Sequence, residues 1–158
     1  MWRISGNADN RRPLVQVGLL KFLPNPGPLN SGTQPLAMPV VRYRALIDTG
    51  AQMTCVTAKA IHENGLICTG RRDVFSGRGE SRHKVYDFYL GLECESVDGR
   101  GQSTPTVYQL PEPQRAINIP DNAHFDLILG MNILGKCDFR IDRNGQFVIE
   151  IPDGAFAT

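Results

Sequence analysis

Leu46-Ile47-Asp48-Thr49-Gly50-Ala51 is the end of an apolar strand running into a carboxylate, a hydroxyl and a glycine. A carboxylate directly after Leu-Ile is costly to bury unless it is paired or opens onto a cleft. Thr49 offers a hydroxyl donor and a methyl that can pack, and Gly50 lets the backbone turn sharply and approach another chain closely. Taken alone, Asp-Thr-Gly is a weak signal, more often a surface turn. Two segments further along the chain give it weight. Phe75-Ser76-Gly77-Arg78-Gly79 is a glycine-rich hairpin tip, and Asp126-Leu127-Ile128-Leu129-Gly130-Met131-Asn132-Ile133-Leu134 is a second apolar strand that ends in glycine and enters a helical turn.

Outward from these segments the chain reads as short strands joined by turns. Pro13–Phe22 alternates like a half-buried strand, with Val15 and Val17 on one face. The run 24–35, PNPGPLNSGTQP, is a loop by composition. Met38–Ile47 is a second strand, and Val56–Asn64 suits one short helix with Thr57 as N-cap and Gly65 past its end. Residues 69–91 form a hairpin, 97–123 look irregular apart from short strands at Val107–Leu110 and Ala116–Ile119, and Met131–Lys136 is a helical turn. Asn144-Gly145, between alternating apolar positions, signals a C-terminal hairpin. The expected fold class is all-β with one or two short helices. Its expected domain spans 13–151, with a loose segment at 1–12 and a tail at 152–158.

Composition narrows the function classes. The chain has 158 residues, 41% apolar, with 17 basic and 16 acidic side chains giving a net charge of +1. That balance creates no field to draw in nucleic acid or an anionic membrane surface. Arg71, Arg72, Arg78, Arg82 and Lys84 make a local basic patch, but Asp73, Glu80 and Asp87 interrupt it, and a solvated hairpin face is the simpler reading. Cys55, Cys68, Cys94 and Cys137 form no C-x-x-C pair, and His62, His83 and His124 are scattered, so neither a metal nor another cofactor is expected. Cys55 and Cys68 flank the short helix and are expected in the core as free thiols, and His62 on its surface. No apolar run has the length of a signal peptide or a membrane span, so the expected location is the cytoplasm, as a free chain or as a piece cut from a larger one.

The order strand–Asp-Thr-Gly–helix, glycine hairpin, strand–Gly–helix resembles the retropepsin family of aspartic proteases, found in retroviruses, retrotransposons and their cellular relatives. The resemblance covers about residues 13 to 151. It implies a closed-barrel subunit that is an obligate dimer. It also implies that Asp48 is catalytic, with Thr49, Gly50 and Ala51 supporting its loop, and that the flap over substrate falls on Phe75, Ser76, Gly77, Arg78 and Gly79, extending to about His83. Ile128, Leu129 and Gly130 would pack behind the catalytic loop, and a polypeptide would be the substrate. Amide hydrolysis by water needs one group to take a proton and another to give one, and two close carboxylates sharing a proton supply both. A single Asp-Thr-Gly per chain therefore calls for a homodimer with Asp48 on its axis. Many retroviral members carry an Asp and an Arg, paired near the interface, where this chain has Gln52 and Met131. The C-terminal hairpin, Phe139–Arg143 with Phe147–Ile151, is expected to supply an intersubunit sheet instead. The alternative function is a catalytically inert module of the same fold used for dimerisation or peptide binding. The intact Asp48-Thr49-Gly50 favours the peptidase. Asp126 is expected to hydrogen-bond a turn rather than take part in chemistry.

Overall fold

The computed structural model describes residues 1–9, 11–21 and 42–156; the loop read over 24–35 and the start of the strand read over 38–47 lie outside these. The fold is organised by one long strand, β6 (Gly79–Val97), whose length of 19 residues lets it serve several partners in turn. It pairs with β2 (Leu14–Lys21), which pairs with β3 (Tyr43–Ile47). Next come β9 (Leu127–Leu129), β4 (Thr54–Thr57) and β8 (Gln114–Ile119), and β8 returns to β6. This closes a barrel, as expected. Strand alternation fills it: Val15, Val17 and Leu19 of β2 and Phe88, Leu90 and Leu92 of β6 all point inward and are buried. The all-β reading with short helices holds. α1 (Ala58–Glu63) begins where Thr57 accepts a hydrogen bond from the Ala60 amide, and Gly65 comes after it at φ +57°. α2 is one turn, Met131–Leu134.

The chain ends depart from expectation. Residues 1–12 are not loose, because β1 (Trp2–Asn7) pairs along its whole length with β11 (Gln146–Ile151). Nor is 152–158 a free tail over its described part: Phe156 is buried, and its ring lies 6.0 Å from Tyr108, which also meets Trp2 at 4.5 Å in a tilted contact. The terminal ammonium meets Asp153 at 2.9 Å. The physical reason is β11, whose Phe147, Ile149 and Ile151 are core residues. Both edges of this core strand are paired, by β10 (Asp138–Ile141) and by β1. The same pairing narrows which strand of the C-terminal hairpin could join an intersubunit sheet. β11 has no edge left to offer, whereas β10, like β5 (Cys68–Ser76) and β7 (Ser103–Gln109), is paired on one edge alone among the described residues.

The tract after residue 97 is also more regular than expected. β7 (Ser103–Gln109) runs back along β6 through a tight turn. In that turn the Asp98 carboxylate accepts from the Arg100 and Gln102 amides at 2.8 Å each, and Gly101 has φ +79°. The β10–β11 turn is built identically. Asp142 accepts from the Asn144 and Gln146 amides at 2.8 and 2.9 Å, with Gly145 at φ +82°. Cys68 is exposed rather than in the core, because it opens β5 (Cys68–Ser76), whose residues are almost all solvated. Cys55 is buried as expected and His62 is exposed.

Candidate active site

The loop carrying Asp48 leaves β3 and returns into β4, and β9 lies between these strands, parallel to β3 and antiparallel to β4. This crossing places Gly130 beneath the returning loop. A Cβ there would sit 2.5 Å from the Met53 carbonyl oxygen and 2.8 Å from the Thr54 nitrogen, so only glycine fits. The requirement is close approach, since Gly130 has an ordinary negative φ of −93°. Thr54, fully buried, ties the crossing together. Its amide and hydroxyl both donate to Asn132 Oδ1, at 2.8 and 2.9 Å, and its hydroxyl oxygen accepts from the Gly130 amide at 3.3 Å.

Backbone bonds also join the loop to α2. Met131 donates to the Ala51 carbonyl at 2.8 Å and Asn132 to that of Gln52 at 3.2 Å. Gln52 and Met131 are thus each tied through the main chain to the other's neighbour rather than to each other. Asp48 is half-buried, and its amide donates to the Leu129 carbonyl at 3.2 Å. Its Oδ1 accepts from the Gly50 amide at 2.9 Å, which fixes the carboxylate orientation. A Cβ on Gly50 would lie 3.2 Å from the same oxygen. Thr49 is exposed, and Ile128 and Leu129 lie in β9, directly behind the loop.

The β5–β6 hairpin runs from the pair Cys68↔Tyr86 to Ser76↔Gly79, so its tip falls on the predicted residues. Gly79 has φ +105°, Ser76 Oγ accepts from the Arg78 amide at 3.2 Å, and Phe75 is 79% exposed. Gly77 has no positive φ, so glycine there is not a backbone requirement. Between hairpin and loop is a cavity of about 560 Å³, walled by Gly50, Ala51, Met53 and Cys55 on one side and by residues from Arg72 to Gly77 on the other, with Ile117 at the base. The structure therefore brings the loop, the β9 segment and the hairpin tip into one place. Of the predicted tip residues, Phe75, Ser76 and Gly77 line the cavity and Arg78 and Gly79 do not.

A crystal structure of a retropepsin-like aspartic protease from Rickettsia conorii aligns with this chain over 94% of its length and 90% of that protein's, with a TM-score of 0.50 and 14% sequence identity. This chain has the retropepsin fold. The retroviral protease-like domain of Ddi1 from Leishmania major aligns over 72% of this chain and 87% of that one, at 19% identity and a TM-score of 0.34. No protein-family model and no curated protein matches the sequence.

Within this retropepsin fold, several residues of the site had no role in the sequence reading. Thr54 and Asn132 hold the crossing, and Met53, Cys55, Val74 and Ile117 give the cavity its apolar lining. Alternation along β4 and β8 carries the only trace of the lining; nothing local marks the Thr54–Asn132 bond. Burial, and then the nearby Asp48 charge, push the Cys55 thiol up to about 11. Asp126 is a structural anchor. It accepts from the Arg44 amide at 3.0 Å and meets Lys59 Nζ at 3.4 Å, so it holds strand β3 rather than a turn. Among the described residues there is no cluster of three or more His, Cys, Asp or Glu placed to hold a metal, and no helix long and apolar enough to cross a membrane.

Proposed function

We propose that the chain is an aspartic endopeptidase whose catalytic dyad consists of Asp48 from each of two identical subunits. The observation that carries this reading is the placement of one oriented carboxylate, Asp48, on a braced loop beside a cavity covered by a hairpin. One carboxylate supplies half of what amide hydrolysis needs. In the dimer, the ionised Asp48 takes a proton from the attacking water while the protonated Asp48 of the second subunit donates to the substrate carbonyl oxygen. The tetrahedral intermediate then collapses as a proton passes to the leaving amine. Exposure of Thr49 and Gly50 leaves the loop open to the same loop of a second copy. The hairpin over Phe75–Gly79 acts as the flap that shuts bulk solvent out of the closed site while the attacking water stays inside, and the apolar lining favours substrates with bulky apolar side chains. The open edge of β10, in the C-terminal hairpin, is one strand available for dimer pairing.

The test is cleavage of a peptide library by the purified protein, beside Asp48→Asn. The variant should lose at least about a thousandfold in kcat/KM, given what acid–base groups contribute, with an unchanged melting temperature. Comparable cleavage by both proteins, or by neither, overturns the peptidase reading.

A further inference from the structure

The outer face of the hairpin, turned away from Asp48, carries a second cavity of about 380 Å³ lined by Ala58, Ile61, Arg71, Arg82, Lys84, Tyr86 and Asn118. Arg82, Lys84 and Tyr86 alternate along β6 and so share a face, and Arg71 of β5 stands directly opposite Lys84. Like charges facing across a strand pair repel. Among the described residues neither Arg71 nor Lys84 has an ion-pair partner, while Arg82 meets Asp73 only at 3.9 Å, both well exposed. The acidic residue nearest in sequence beyond Tyr86 is not available either, because Asp87 is held by Arg115 through two hydrogen bonds of 2.9 and 3.1 Å. The interruption of the basic patch that the sequence suggests is therefore incomplete in three dimensions. Three cations line one recess, and its remaining wall is Ala58 and Ile61 of α1, the Tyr86 ring and Asn118, whose Oδ1 already accepts from the Lys84 amide.

We propose that this recess binds a small organic phosphate, with its oxygens held by Arg71, Lys84 and Arg82 and its apolar body resting against Ala58, Ile61 and Tyr86. A phosphate monoester brings close to two negative charges and several strong acceptors, which matches two unpaired cations better than a carboxylate does. The volume exceeds what an inorganic ion fills and lies at the low end for small-ligand sites. Bridging Arg71 to Lys84 relieves the repulsion at the base of the hairpin, so occupancy stiffens the strands that carry the tip. The site uses neither Asp48 nor its chemistry, so it stands or falls separately from the peptidase reading.

Calorimetric titration at low ionic strength with phenyl phosphate, inorganic phosphate and benzoate tests this, beside Arg71→Gln, Lys84→Gln and the distant control Arg100→Gln. Phenyl phosphate should bind saturably, at least tenfold tighter than either other probe. Each cavity variant should weaken it at least tenfold while the control matches the parent. Amide exchange over residues 69–86 should slow when it binds. Absence of saturable binding to millimolar concentration, equal binding of benzoate, or unchanged affinity in both cavity variants overturns the proposal.

Discussion

The two walls of the cavity beside the Asp48 loop are made of the same material, antiparallel and crossed strands, but they are held very differently. The floor is the loop from Gly50 to Met53 with Cys55, carried by the crossing of β3, β9 and β4. There Thr54, Val56 and Leu127 are all fully buried, and the loop is fastened by side-chain and backbone bonds to Asn132 and Met131. The roof is the outer half of β5–β6. Its residues from Cys68 to Ser76 are exposed apart from half-buried Val74, and it rests on the rest of the molecule through a small apolar cluster around Cys55, Val85 and Ile117 and through hydrogen bonds of 2.9 Å from His83 and Lys84 to Asn118. Local opening energies track burial and packing, so the floor should open only with the whole domain and the roof far more easily. That division suits the proposed peptidase, in which the carboxylate would hold still while its cover moves.

Gly130→Ala strikes the floor hardest. The added methyl meets backbone at a crossing with no room to relax, and the loss should be roughly 3–5 kcal/mol in a denaturant titration. A loss below about 1 kcal/mol would mean the crossing is looser than its geometry. Asn132→Ala should cost less, about 1–3 kcal/mol, by leaving the buried Thr54 amide without its acceptor. The same titration reads this, and any activity lost should be recovered better by Asn132→Asp than by Asn132→Leu, since only the former retains an acceptor.

A smaller and gentler comparison uses two native thiols, Cys55 in the floor and Cys68 at the base of the roof. Burial holds the Cys55 thiol near 11, against an ordinary value of 9.0. At pH 8 it is therefore about 100-fold poorer in thiolate than an ordinary thiol, and it is shielded as well. Alkylation and then peptide mapping should find exposed Cys68 modified first and Cys55 at least about 100-fold more slowly. Comparable rates would show that the floor opens as readily as the roof.

Much of this arrangement is legible in the sequence because its signals are local. Asp-Thr-Gly after Leu-Ile, Thr57 ahead of α1, glycine after Leu127-Ile128-Leu129 and the glycine tip of the hairpin each speak within a few residues. The first strand does not. Trp2–Asn7 contains one fully inward apolar residue, Ile4, and its partner β11 lies more than a hundred residues away. Only the need of β11 for a second neighbour explains it, and that need is invisible until the barrel is assembled. The β6–β7 turn is a different case. Asp98-Gly99-Arg100-Gly101-Gln102 repeats the Asp-x-x-Gly-Gln spacing of Asp142–Gln146, so the signal is present and comparison of the two segments finds it. The recess around Arg71 and Lys84 lies between these extremes. Its charges are plain in the sequence, but the removal of Asp87 by Arg115 depends on the pairing of β6 with β8.

The central claim, that one active site is made from two Asp48 side chains, is tested most directly by mixing subunits. Parent protein is unfolded and refolded together with a tenfold excess of Asp48→Asn, and cleavage is measured per parent chain. Random pairing leaves about a tenth of parent chains with a parent partner, so activity per parent chain should fall to about a tenth. Activity per parent chain that stays constant across the mixing series would show that a single subunit carries a complete site, contradicting the shared dyad.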